Sequence, residues 1–230
     1  PRQIAEILVR YFPKEGTWVE ELEIAGPGFI NFRLDYQWLY QILPQVEREG
    51  ENYGRSDFGK GQKVQVEFVS ANPTGLLHMG NARGAALGDT IANLLDAAGF
   101  TVEREYYIND AGNQIENFGK SLEARYLQEL GQNVPFPEDG YHGEDIIDTV
   151  KRIIEQDGDK YLGVDSQLRR EFLIKFGLNE KLTHIKTVLE KFGVHYDQWF
   201  SEQSLHDGGE VEAVIKELDE NGYVYEKDGA

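Results

Sequence analysis

One stretch between residues 63 and 110 constrains the fold more than any other part of the sequence, because it alternates strand and helix signals. "KVQVEFVS" alternates apolar and polar residues and predicts a strand with the carboxylate of Glu67 near its end. A helical pattern follows from about residue 81 to residue 98, where Gly99 is a natural stop, and "FTVEREYYIND" predicts a second strand. This order predicts a right-handed βαβ unit, with a ligand crevice at the C-terminal ends of its strands.

Composition divides the chain into four regions. Residues 1–60 contain a helix, a hairpin around "GPGFINF" and a glycine-rich charged linker, which predict part of a small α+β domain. Residues 61–130 hold the βαβ unit and one further helix, and residues 131–190 predict an insertion of short helices. Residues 191–230 predict a return to the α/β domain through a short aromatic strand or loop, a helix and a last strand. The expected fold class is α/β.

Both ends of the sequence resemble the interior of a protein. The chain starts on Pro1 inside a helical pattern, and the strand-like run around Tyr223 has no later strand to pair with it. We therefore expect a fragment of a longer protein.

Charge and cysteine usage restrict the partners and the compartment. Lys and Arg number 23 against 41 Asp and Glu, a formal net charge of -18, which argues against a protein that coats DNA through its whole surface. The absence of cysteine excludes disulfides and thiolate metal sites and fits a reducing cytoplasm. No apolar run approaches the roughly 18 residues that span a bilayer. We expect a cytoplasmic protein with neither a membrane nor a DNA partner.

The loop after the first strand of the βαβ unit carries the strongest candidate site. "ANPTGLLHMGNARGAALGD" places His78 and Asn81 at the start of a helix, where backbone N–H groups and the helix dipole favour a phosphate. Gly80 leaves a gap through which a flat ring could approach the backbone, an arrangement that suits ATP. Neither G-x-G-x-x-G nor G-x-x-x-x-G-K-[ST] is present at this position. On residue chemistry alone, helix capping by Asn81 and ligand binding are equally supported.

A resemblance decides between these interpretations. "VEFVSANPTGLLHMGNARGAALGD" and "EREYYINDAGNQI" resemble class I arginyl-tRNA synthetases, as do "AGPGFINF" upstream and "YDQWFSEQSL" downstream. The resemblance implies the first half of a Rossmann-like catalytic domain with a helical insertion, preceded by part of an N-terminal domain that contacts tRNA. The residues that match the family signature are Ala71, Asn72, Pro73, Thr74, Gly75, Leu76, Leu77, His78, Met79, Gly80 and Asn81.

The resemblance also implies roles in ATP binding and catalysis. His78 matches a histidine that contacts ATP phosphates and stabilises the charge that develops as an adenylate forms. Gly80 matches the glycine on which adenine packs. Asn81 stands where relatives often have a second histidine, so it can donate a hydrogen bond but carries no charge.

A second group of residues is implied to bind arginine. Asn72 matches the residue that holds the α-amino group, and Glu67 matches a carboxylate near the guanidinium, a planar cation that carboxylates recognise well. We assign Asn109 and Asp110, at the end of the neighbouring strand, to the wall of the same pocket.

The implied function is an arginine–tRNA ligase that uses ATP, with Mg²⁺ carried by the nucleotide, to form arginyl-adenylate and charge tRNA(Arg). No resident metal is expected, because the acidic segment "YHGEDIID" is typical of a solvated helix start. Two alternatives stay open: a nucleotidylyltransferase with a His-x-Gly-His-type site for a small molecule, and a non-catalytic synthetase-like binding module. The family's second signature, usually Lys-Met-Ser-Lys-Ser, is missing in that spelling because the only methionine is Met79. We therefore expect this chain alone to be inactive.

Overall fold

The computed structural model describes residues 1–225. The chain forms two compact units, Pro1–Ser56 and Asp57–Ala230. The strand predicted at the C-terminal end is not formed at residues 223–225, because an extended segment needs a neighbouring strand to satisfy its backbone hydrogen bonds. The remainder of that prediction lies outside the described residues.

The first unit is a small α+β arrangement. Its strands pair antiparallel, so the predicted hairpin is confirmed, with Gly26 and Gly28 at positive φ in the connecting turn. The helices and strands are α1 (Arg2–Tyr11), β1 (Val19–Ala25), β2 (Phe29–Leu34), α2 (Gln37–Tyr40) and α3 (Ile42–Glu49), followed by a short 3-10 helix (Gly50–Asn52).

The second unit is an α/β structure built on a three-stranded parallel sheet in the order β3-β4-β5. The predicted α/β class is confirmed, and α4 is the crossover between the parallel strands β3 and β4. The elements are β3 (Lys63–Glu67), α4 (Met79–Ala97), β4 (Thr101–Ile108), α5 (Asn113–Glu129), α6 (Glu144–Asp157), α7 (Ser166–Lys191), β5 (Gln198–Ser201), α8 (Gln203–Asp207) and α9 (Glu210–Glu220).

One face of the sheet packs on helices and the other carries polar residues. Phe68 and Tyr106 belong to a buried cluster that also contains Ala85 of α4 and Ile185 and Leu189 of α7. A second cluster holds α5, α6 and α7 together, through buried residues such as Phe118, Leu122, Ile146, Val150 and Leu173. Helix α7 therefore joins the inserted helices to the sheet.

The prediction of short helices throughout residues 131–190 is wrong, because α7 is a continuous helix of 26 residues. Its buried positions recur every four residues, but Arg169, Gly177 and Lys181 occupy three of the six. The buried face consequently does not read as an apolar stripe in the sequence. Its length is supported by packing and ion pairing rather than by hydrophobic periodicity.

Two ion pairs make the buried charges on α7 tolerable. Arg169 Nε lies 2.9 Å from Glu123 Oε1, and Lys181 Nζ lies 2.6 Å from Asp145 Oδ2. A buried charge is destabilising unless it is paired, so each partner removes that penalty from the other. Asp145 belongs to the acidic segment "YHGEDIID", and its carboxylate thus has a structural partner on α7.

Close packing between α4 and Phe68, the residue after β3, yields a stability prediction. A Cβ at Gly88 would lie 2.2 Å from the Phe68 ring, whereas a Cβ at Gly84 on the same helix meets nothing within 4 Å. We expect Gly88→Ala to lower the free energy of unfolding by about 2 kcal/mol through overpacking. The matched variant Gly84→Ala should raise it by about 0.5–1 kcal/mol, because alanine favours the helix. Urea denaturation of both variants measures the difference, and equal effects would contradict this packing.

Candidate active site

The start of α4 is fixed by two hydrogen bonds, one accepted by the side chain of His78 and one by the side chain of Asn81. His78 Nδ1 accepts from the backbone N–H of Gly80 at 3.1 Å, and Asn81 Oδ1 accepts from the backbone N–H of His78 at 3.0 Å. The helix begins at Met79, earlier than predicted, so His78 is the N-cap and Asn81 is the third helical residue. Asn81 does contribute to capping, but it supports a cap that His78 provides.

The capping bond leaves one ring nitrogen of His78 for another partner. Because Nδ1 accepts a hydrogen bond, the ring proton of the neutral imidazole is assigned to Nε2, where it can be donated. The side chain is exposed at the helix start. Capping and ligand binding therefore use different nitrogens of the same ring and do not compete.

Gly80 allows the histidine ring to lie against the backbone. A Cβ at this position would meet His78 Cε1 at 2.9 Å and Nδ1 at 3.1 Å, so any larger residue would push the ring away. This contact explains the glycine without a ligand. Packing of adenine on the same backbone stays a prediction.

A strained turn connects β3 to the signature loop. Val69 and Ser70 have φ angles of 67° and 40°, in the left-handed region that a β-branched residue such as valine rarely enters. Such a conformation costs on the order of 1–3 kcal/mol and persists only where surrounding contacts hold it. Sequence patterns gave no sign of this turn, because valine is typical of a strand.

Tyrosine hydroxyls from two distant segments hold the turn in place. Tyr106 donates to the carbonyl of Ala71 at 2.8 Å, and Tyr196 donates to the carbonyl of Phe68 at 3.2 Å. Burial raises the pKa of Tyr106 to about 12, and burial together with the neighbouring Tyr106 also raises the pKa of Tyr196, so both hydroxyls remain donors. No sequence pattern predicted that either hydroxyl would contact this turn.

The two side chains assigned to arginine binding near β3 are accessible. Glu67 ends the strand and is exposed, and Asn72 follows the strained turn and is also exposed. The Asn72 amide has one protein partner in the described residues, Gln114 at the start of α5, whose Oε1 accepts from Nδ2 at 2.6 Å. No sequence pattern predicted this contact of Gln114, because its partner lies 42 positions away.

Asn109 and Asp110 are hydrogen-bonded to the end of β5 and to the segment that follows it. Asp110 Oδ2 accepts from Ser201 Oγ at 2.6 Å, and Asp110 Oδ1 accepts from the backbone N–H of Gln203 at 2.9 Å. With its amide turned to satisfy both neighbours, Asn109 donates to Glu202 Oε2 at 2.9 Å. These bonds tie the end of β4 to β5 and α8. A place for either residue in an arginine pocket stays a prediction.

The polar face of the sheet is acidic beside Glu67. Glu67 is in register with Glu105, and Gln65 Nε2 donates to both Glu103 and Glu105 at 2.8 and 3.1 Å. Partial burial, followed by repulsion from Glu67 and Glu103, raises the pKa of Glu105 above its usual range. A cation near this edge would be attracted by the unneutralised carboxylates.

Together, a parallel sheet and a crossover helix that starts after its first strand place the second unit in the class of Rossmann-like α/β domains. The family model described as "tRNA synthetases class I (R), catalytic domain" matches residues 43–230, and the chain belongs to that family. The model of the arginyl tRNA synthetase N terminal domain matches residues 1–34.

Relatives of known name are similar along the whole chain. The arginine–tRNA ligase of Heliobacterium modesticaldum is 63% identical over 230 residues, and that of Moorella thermoacetica is 64% identical over the same length. The chain spans 41% of the length of each of these relatives. The predicted family is therefore confirmed, while the activity of the longer relatives is a property of more residues than this chain contains.

Solved structures agree on the fold. A Campylobacter jejuni structure described as an arginyl-tRNA synthetase has a TM-score of 0.71 and 33% identity, covering 85% of this chain and 42% of that one. The Thermus thermophilus arginyl-tRNA synthetase has a TM-score of 0.56 and 25% identity, covering 96% of this chain and 35% of that one. Between residues 1 and 225, no helix is both long and apolar enough to cross a bilayer.

The raised pKa of Glu105 gives a pH-dependent prediction. As pH rises from 3 to 7, the unfolded carboxyl ionises more readily than the folded one, so ionisation favours unfolding. We expect Glu105→Gln to raise the free energy of unfolding at pH 7 by less than about 1 kcal/mol, which raises the melting temperature, and to have no effect near pH 3. Glu138→Gln, in an exposed loop, is the control. Destabilisation by Glu105→Gln at pH 7 would contradict the repulsion.

Proposed function

We propose that this chain supplies the ATP- and arginine-binding part of a cytoplasmic arginine–tRNA ligase. The observation that carries the proposal is the geometry of His78, whose Nδ1 caps α4 while Nε2–H is left to donate beside the helix N-terminus. A triphosphate meets backbone N–H groups, a favourable dipole and a ring donor at one place. The same site needs no resident metal, and Mg²⁺ arrives with the nucleotide.

The reaction that fits this site joins the arginine carboxylate to the α-phosphate of ATP and releases pyrophosphate. The arginyl group of this adenylate then passes to tRNA(Arg), and AMP is released. His78 stabilises the negative charge that develops on the phosphate oxygens, which is electrostatic catalysis without a covalent step. Asn81 holds the backbone of His78 at the helix start by accepting its N–H, while the Gly80 N–H holds the ring. Gly80 keeps the backbone open to adenine.

Arginine is recognised on the strand side of the same crevice. Glu67 pairs with the guanidinium, since a carboxylate matches this planar cation in charge and geometry. Asn72 binds the α-ammonium, and Asn109 and Asp110 form the pocket wall. This division puts the reacting carboxylate of arginine toward the start of α4.

The remaining regions have roles that follow from the same proposal. Residues 1–60 are the part of the N-terminal domain and linker that contacts tRNA, and residues 61–130 hold the substrate site. Residues 131–190 are the helical insertion, and residues 191–230 return to the catalytic domain. Membership of the tRNA synthetase family favours neither a nucleotidylyltransferase for a small molecule nor a non-catalytic binding module.

A chimera tests this function. The chain replaces the corresponding segment of the Heliobacterium modesticaldum relative, which is 63% identical. His78→Ser keeps an oxygen that can cap α4 and removes the ring donor. We expect the parent chimera to be active and His78→Ser to lower its kcat about 100-fold, because one hydrogen-bond donor to the developing charge is lost. The melting temperature should change little.

The matched control is His184→Ala, which removes an exposed histidine from α7 and should leave kcat unchanged. Aminoacylation of tRNA with labelled arginine gives kcat, and scanning calorimetry gives the melting temperature. If His78→Ser retains full activity, the ring has only a capping role. If the parent chimera folds but does not charge tRNA, the proposed function is wrong.

A further inference from the structure

Gln114 lies outside the signature loop but contacts Asn72, a residue of that loop that is proposed to bind the substrate. It is the second residue of α5, after the N-cap Gly112, and its Oε1 accepts a hydrogen bond from Asn72 Nδ2 at 2.6 Å. The two residues are 42 positions apart in sequence. The contact therefore depends on the fold, which brings the start of α5 beside the loop that follows β3.

This bond limits what the Asn72 amide can recognise. A carboxamide offers one acceptor oxygen with two lone pairs and one nitrogen with two N–H groups, and here one of the two N–H groups donates to Gln114. In this orientation the acceptor that Asn72 can offer a substrate is Oδ1. An oxygen acceptor at this place suits an ammonium group and does not suit a phosphate or a carboxylate.

The Asn72 amide needs a hydrogen-bond partner such as Gln114 to keep one orientation. Rotation of an asparagine amide about its terminal torsion is broad and roughly two-fold, so the oxygen and the nitrogen exchange places easily. With the nitrogen outward, the amide would present a donor to a cation. The hydrogen bond to the Gln114 oxygen favours the orientation in which Nδ2 faces α5, before the substrate arrives.

We infer that Gln114 is a positioning residue for amino-acid recognition. It acts through Asn72 by holding Nδ2, so that Oδ1 faces the α-ammonium group of the substrate. This inference rests on the proposed function of the chain. It adds a residue from α5 to a site whose other proposed residues lie on β3, at the end of β4 and in the signature loop.

Two substitutions in the chimera separate orientation from packing. Gln114→Met has a similar length but offers no oxygen acceptor, whereas Gln114→Glu offers only acceptors. We expect Gln114→Met to raise KM for arginine about fivefold, the scale of one hydrogen bond, with KM for ATP unchanged. Gln114→Glu should keep KM for arginine at or below the parent value.

A substrate analogue supplies a readout that a merely structural role would not move. The compound 5-guanidinopentanoic acid is arginine without its amino group, so it cannot use the Asn72 oxygen. As a competitive inhibitor it should have the same inhibition constant, within about twofold, in the parent and in Gln114→Met, while arginine binding weakens in that variant. Melting temperatures of both variants report on folding.

The outcomes distinguish this inference from the function on which it rests. A parent chimera that does not use arginine overturns both. An active parent with unchanged KM for arginine in Gln114→Met overturns the role of Gln114 alone. Equal weakening of arginine and the analogue, or equal effects of Met and Glu, would mean that Gln114 acts through packing rather than through the Asn72 amide.

Discussion

The strained turn after β3 is the constraint on which the rest of the site depends. Val69 and Ser70 take a left-handed backbone conformation, which redirects the chain from the sheet toward the start of α4. The turn is stable because the hydroxyls of Tyr106 and Tyr196 hold the carbonyl groups on either side of it. Glu67 before the turn and the signature loop after it therefore have fixed positions relative to the sheet.

This arrangement links the helical insertion to the site. Tyr196 follows α7, the helix that packs on both the inserted helices and the sheet. Its hydroxyl reaches a residue 128 positions earlier in the sequence. The ion pairs of Arg169 and Lys181 stabilise α7, which leads into the segment that carries this tyrosine. Helix α7 thus supports the turn that precedes the proposed substrate site.

The sequence predicted local features well and long-range ones poorly. Strand alternation around Glu67 and the turn signals before His78 act within a few residues, so the βαβ unit was predictable. The length of α7 was not, because Lys181 and other polar residues occupy its buried face and are satisfied by partners distant in sequence. Gln114 was missed for the same reason: its partner lies on another element, and a lone glutamine near a helix start carries no pattern.

The most direct test of the account is a crystal structure of the chimera with a non-hydrolysable arginyl-adenylate analogue. We expect His78 Nε2 within hydrogen-bonding distance of the phosphate mimic, Asn72 Oδ1 at the α-ammonium and the Glu67 carboxylate at the guanidinium. We also expect His78 Nδ1 to keep its hydrogen bond from the Gly80 N–H in the complex. An analogue bound away from the start of α4, or a histidine ring that abandons its cap to reach the ligand, would contradict it.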